Sequence, residues 1–89
     1  MTLLTAQEGQ EYIIQEIQTD DEEMLSFLFS LGCYSGEPIT VIARRRGGCT
    51  VSIKDGRYNI DNQLAEAIVV AWPKAKGPLM VFYPAVSNR

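Results

Sequence analysis

The stretch MLSFLFSLGCYSGEPITVI, residues 24–42, reads as a helix, a turn and a strand in immediate succession. Met24, Phe27, Leu28 and Leu31 recur at helical spacing, and Leu25 widens the stripe. Phe29 falls off that stripe and is expected at the surface. Gly32 stands where a left-handed residue ends a helix. Cys33-Tyr34-Ser35-Gly36 then forms the connecting turn, and Glu37-Pro38 leads into a strand. In that strand Ile39 and Val41 face one way and Thr40 and Ile42 the other. Such a unit fixes how one helix packs on one sheet, and it carries no chemistry of its own.

Upstream, Thr19-Asp20-Asp21-Glu22 has the spacing of a capping box, which places the helix over residues 21–31. The four acids at 20–23 suit the positive end of a helix dipole better than a metal site, because adjacent helical residues point in different directions. Residues 10–18 read as a strand with Tyr12 and Ile14 on one face. Ile17 breaks that alternation, as a bulge or a strand end does. Leu3 and Leu4 are expected to anchor the N-terminus.

Downstream, Arg44-Arg45-Arg46-Gly47-Gly48 reads as a basic loop. Residues 49–54 alternate again with Val51 and Ile53 inward, and Asp55-Gly56 signals a two-residue hairpin. Tyr58 and Ile60 share one face of the returning strand. Asp61 is placed to cap a short helical turn around Leu64-Ala65, and residues 67–72 form a last apolar strand. Five short strands with closely spaced turns predict a mainly β domain, a small barrel or sandwich, with one α-helix inserted between the first two strands. Residues 1–72 make up that domain and residues 73–89 a C-terminal extension. Within the extension, Leu79, Met80, Val81, Phe82 and Tyr83 form an apolar run bounded by Pro78 and Pro84. Left unpaired, such a run is β-prone, so it is expected to pair as a sixth strand or with a neighbouring subunit.

The chain has 89 residues, 46% of them hydrophobic, which fits one globular domain with a small core. Its apolar runs are far shorter than the roughly 20 residues of a membrane span. No signal peptide is visible and two cysteines are too few for a disulfide scaffold, so a reduced cytoplasmic protein is expected. Charge is segregated. Eight acids and no basic residue precede position 40, whereas eight basic residues and three acids follow from Arg44 onward. Opposite charges are expected to meet on folding; the sharper alternative is a bipolar surface that steers a partner. A net charge of -3 with one basic cluster argues against nucleic-acid binding.

Taken in order, Leu3-Leu4, Gly9-Gln10-Glu11-Tyr12-Ile13-Ile14, Leu31-Gly32-Cys33-Tyr34-Ser35-Gly36, Ile39-Thr40-Val41, Gly47-Gly48, Asp55-Gly56 and Ala65-Glu66-Ala67-Ile68-Val69-Val70 make up a pattern that resembles the FeoA family, ferrous iron transport protein A. The resemblance covers about residues 1–72. It implies an SH3-like β-barrel of five or six strands that works beside FeoB, the membrane iron(II) transporter with a cytosolic G-protein domain. The same barrel resembles the C-terminal domain of iron- and manganese-dependent repressors. The chain departs from the pattern at Cys33 and Ser35, where the family usually keeps Ile and Pro, at Phe27-Leu28, where Arg-Leu is common, and at Asp61, where an Arg is frequent.

No histidine is present, so the commonest general base and metal ligand is missing. Cys33 and Cys49 have no imidazole to activate them and lack the paired spacing of a zinc site. Gly47-Gly48 lacks the phosphate-cradling motif and its strand–loop–helix setting. The expectation is therefore a non-enzymatic adaptor of bacterial ferrous iron uptake, with no catalytic residue, no metal site, no cofactor, no small-molecule substrate and no nucleic-acid partner. Its FeoB contacts are expected at the helix–turn face and the Arg44–Gly48 loop, through Phe29, Cys33, Tyr34, Arg44, Arg45, Arg46 and Trp72. It would be cytoplasmic, peripheral at the inner membrane through that partner, and dimeric if Leu79–Tyr83 pairs between subunits. The alternative is a stand-alone regulatory SH3-like domain in metal-responsive transcription.

Overall fold

A computed structural model describes residues 1–73; the run Leu79–Tyr83 and most of the C-terminal extension lie outside the described residues. After a short 3-10 turn at Leu3–Thr5 come β1 (Glu11–Ile17), α1 (Glu22–Ser30), β2 (Pro38–Arg45), β3 (Gly48–Ile53), β4 (Gly56–Asp61), α2 (Asn62–Ala67) and β5 (Ile68–Ala71). All strand pairs are antiparallel, in the order β4-β3-β2-β1-β5. The short helix α2 links the two edge strands and packs on the Leu3–Thr5 turn, wrapping the sheet around its core. Tyr12, Ile14, Ile39, Val41, Val51, Ile53, Ile60, Ile68 and Val70 fill that core, as period-two alternation requires. The break expected near Ile17 is a bulge in the β1–β5 register between Ile14 and Glu16.

Helix α1 starts one residue later than its sequence suggests. Its cap is Asp21, whose carboxylate accepts the amides of Glu23 and Met24 at 3.0 and 3.1 Å. Thr19 instead accepts the amide of Asp21, one step outside the helix. A carboxylate next to the first free amides outcompetes a hydroxyl further back. The C-terminus is a full Schellman closure: Cys33 donates to the carbonyl of Leu28 at 3.1 Å and Gly32 to that of Phe29 at 3.0 Å. Gly32 takes a φ of 99°, which an L side chain rarely adopts. Only Leu28 of the helix is fully buried, with Met24 and Leu31 packed beside it. Phe27, expected in the core, is 47% exposed, because a nine-residue helix lays only a narrow stripe on the barrel.

Two turns are shifted from expectation. Ile53 pairs with Gly56, so the two-residue loop is Lys54-Asp55, with Lys54 at positive φ, rather than Asp55-Gly56. A β-carbon at Gly56 would meet the Tyr58 ring, which lies across this position and would have to swing aside. The expected basic loop is mostly strand, since Arg44 and Arg45 belong to β2 and only Arg46-Gly47 turns before Gly48 opens β3.

Candidate docking surface

The Schellman closure sends the chain into a second turn, where Glu37 donates to the carbonyl of Tyr34 at 3.0 Å with Gly36 at positive φ. Two bonds sew this turn to β1. Gly36 donates to the carbonyl of Ile14 at 2.7 Å, and Ile14 donates to that of Glu37 at 2.9 Å. The turn is therefore a rigid corner, and it holds its side chains in fixed directions. Phe29 and Tyr34 stack there with ring centroids 5.5 Å apart, 39% and 49% exposed. Lys54 reaches over the Tyr34 ring at 5.9 Å and lies 3.9 Å from Glu37. Beside the stack, Gln15, Ile17, Leu25, Phe29 and Cys33 line a mostly apolar hollow of about 340 Å³. An exposed aromatic pair on a rigid backbone, next to an apolar recess, is the arrangement of a protein-docking anchor.

Cys33, expected on the exposed corner, is buried. As the second residue past the helix cap it folds back onto Leu28, the usual contact of this closure. Burial pushes its thiol up to about 11, so it is held as the protonated thiol at neutral pH. Cys49 is buried too; its thiol is raised by burial, which Arg44 opposes in part.

The three arginines part company. Arg44 turns inward, and one terminal guanidinium nitrogen donates to the carbonyls of Leu3 and Ala6 at 2.7 and 2.8 Å. Its own amide donates to the Glu8 carboxylate at 2.6 Å. It clamps the N-terminal turn to β2 and offers little to a partner. Arg45 donates to the Thr50 hydroxyl, which bonds Asn59 across the sheet, while Arg46 is exposed at the hairpin tip.

Tyr34 and Trp72 have different aromatic partners. The Trp72 ring lies 5.0 Å from that of Tyr12 and is 56% exposed. It walls a separate hollow with Ile13, Pro38 and Ala71, which meets the first hollow at Gln15. Ile13, Leu25, Pro38 and Lys54 were missed as surface residues. Ile13 was the one with a signal, an apolar residue on the outward face of a strand whose inward face is already Tyr12 and Ile14.

A further hollow, about 590 Å³, is polar and carries Asp20, Asp21 and Glu66. Among the described residues no three metal-binding side chains come together, and no helix is long and apolar enough to cross a membrane.

The family model for the FeoA domain matches residues 1–71. No curated protein matches the chain by sequence. Among solved structures, the chain is similar to a manganese-dependent transcriptional repressor, with a TM-score of 0.76 at 25% identity over 82% of this chain. It spans 41% of that repressor. It is also similar to an iron uptake regulatory protein, FeoA (TM-score 0.71, 24% identity, 80% of this chain and 93% of the other). A third is a zinc complex of Stenotrophomonas maltophilia FeoA, described as a procaryotic SH3 domain protein (TM-score 0.73, 20% identity, 80% and 89%). The fold is SH3-like, as the family pattern implied.

Proposed function

The chain belongs to the FeoA family, and on that footing we propose that it is a non-enzymatic accessory protein of bacterial ferrous iron uptake that docks on the cytosolic part of the FeoB transporter through its Phe29–Tyr34 corner. The observation that carries the reading is the stacked, half-exposed aromatic pair held on a doubly bonded turn beside an apolar hollow. Aromatic side chains with few rotamers supply contact area at small entropic cost, which is why they anchor interfaces. Arg46 at the hairpin tip adds a charged contact whose effect falls on association rate and salt dependence. Docking would hold the protein at the inner membrane through its partner.

Binding of the full chain to purified FeoB cytosolic domain, followed by calorimetry, tests this. The double variant Phe29→Ala/Tyr34→Ala should keep its melting temperature and lose affinity by at least about tenfold, the scale of one hot spot. Unchanged affinity removes the corner from the interface, and absence of binding by the unaltered chain removes the partner. The likeness to the manganese-dependent repressor favours a second reading, a regulatory domain in metal-responsive transcription. Capture from native cells separates the two, since one retrieves the transporter and the other transcription machinery.

A further inference from the structure

Strand β4 (Gly56–Asp61) is an edge of the sheet, and its pairing with β3 runs from end to end without a bulge. The same register continues past the strand, where Asn62 donates to the carbonyl of Gly47 at 2.9 Å. Antiparallel pairs alternate between bonded and unbonded. Gly56, Tyr58 and Ile60 therefore direct their backbone groups at β3, and Arg57, Asn59 and Asp61 turn theirs away from it. Among the described residues no hydrogen bond reaches the outward amides of Arg57, Asn59 and Asp61, or the outward carbonyls of Arg57 and Asn59. The Asp61 carbonyl belongs to the first turn of α2. The opposite edge of the sheet is covered: Thr2 bridges Val69, and Val70 donates to the carbonyl of Met1 at 2.9 Å. A regular, uncovered edge without proline is a template for another strand.

The side chains along this edge select which strand. Arg57, Asn59 and Asp61 are exposed on one face, while Tyr58 and Ile60 turn to the other. Turned end for end about Asn59, the same sequence sets Arg57 against Asp61, Tyr58 against Ile60 and Asn59 against itself. Each opposed pair is complementary, and the charge pair occurs at both ends. Arg57 is in no ion pair among the described residues. Asp61 accepts the Leu64 amide through Oδ1 at 2.8 Å, which leaves Oδ2 for a guanidinium. Gly56 falls opposite Asn62, so the start of α2 meets no side chain there.

We propose that two copies of the chain pair through β4, antiparallel about a twofold axis at Asn59, and join their sheets edge to edge. Asn59 exchanges backbone bonds with its symmetry mate, the Asp61 amide of each copy donates to the Arg57 carbonyl of the other, and the Arg57 guanidinium meets the Asp61 carboxylate. The contact is isologous, so it closes at a dimer. It is smaller than the roughly 1,600 Å² of a standard interface, so it dissociates on dilution. Strand β4 contributes no residue to the Phe29–Tyr34 corner, and pairing is tested without the transporter.

Sedimentation equilibrium of the full chain from about 10 µM to about 1 mM, the range a small interface occupies, should show a reversible monomer–dimer equilibrium. Arg57→Asp, an exposed change that sets like charges against each other at both ends, should weaken it by about tenfold or more. Asn59→Pro, which removes the central outward amide and leaves the bonds to β3 in place, should abolish it. Circular dichroism checks that both variants keep the fold; where Asn59→Pro does not, Arg57→Asp decides alone. A chain that stays monomeric throughout overturns the proposal. So does a dimer whose affinity Arg57→Asp leaves unchanged, because its contact then lies elsewhere.

Discussion

Replacing Arg44 with Ala should destabilise the fold, whereas replacing Arg46 two positions on should not. The Arg44 guanidinium spans 41 positions of sequence to donate to the Leu3 carbonyl at 2.7 Å. It also holds the Ala6 carbonyl at 2.8 Å. Hydrogen bonds from a charged donor contribute about 1.5–3 kcal/mol each. Both here come from one nitrogen in a half-buried setting, so the pair is worth about 2–3 kcal/mol rather than the full sum. Leu3, fully buried, depends on the same clamp. In a domain of this size each kcal/mol moves the melting temperature by about 4–8 °C, which gives a fall of roughly 10–20 °C. Arg46→Ala, a surface change, should stay within about 0.5 kcal/mol. Urea titrations of the two variants at neutral pH measure the contrast. Coincident midpoints would refute the structural role of Arg44. A triple arginine-to-alanine variant would therefore confound lost docking with lost stability, so charge tests of docking belong to Arg45 and Arg46.

Leu28→Ala should cost about 2–5 kcal/mol, since it deletes the only fully buried side chain of α1, while Phe27→Ala, at a position 47% exposed, should cost under about 1 kcal/mol. Equal losses in chemical denaturation would mean that α1 docks differently. Burial raises the Cys33 thiol from 9.0 to about 11, so the unfolded chain ionises first and stability must fall as pH rises between those values. The loss approaches about 2–3 kcal/mol by pH 11. Cys33→Ala should flatten that slope, and a denaturation midpoint with the same alkaline dependence in both proteins would contradict the burial.

Local patterns carried most of the fold. Ile39 and Val41 in β2, Val51 and Ile53 in β3, and the Asp61 cap on α2 all lie where alternation and capping put them, because each rests on neighbours within four residues. The candidate corner was legible in part: Phe29 and Tyr34 are exposed as expected, and the structure adds that they stack. Cys33 sits in a turn yet is buried, because the residue after a helix-ending glycine packs back on the last helical turn. Arg44 had no local signal at all. Its acceptors are backbone carbonyls near the N-terminus, and no periodicity announces a hydrogen bond closed over some forty residues.

Segregated charge takes on a different meaning once the fold is known. Among the described residues the acids of the first half and the basic residues of the second meet in one ion pair, Lys54–Glu37, at 3.9 Å and on the surface. Such a pair contributes at most about 1 kcal/mol. Glu8 is engaged by the Arg44 amide rather than by a basic side chain. Folding therefore leaves most of the segregation in place: Asp20, Asp21, Glu22 and Glu23 stay exposed at the start of α1, and Arg45 and Arg46 at the β2–β3 hairpin. The aromatic corner lies at the other end of that same acidic helix, beside a single lysine. A partner docked on the corner as proposed would lie at one end of this acidic helix. Under that proposal, acidic steering would favour a basic partner surface and act on association rate, while the aromatic pair would act on dissociation, so salt and aromatic substitutions should separate in kinetics.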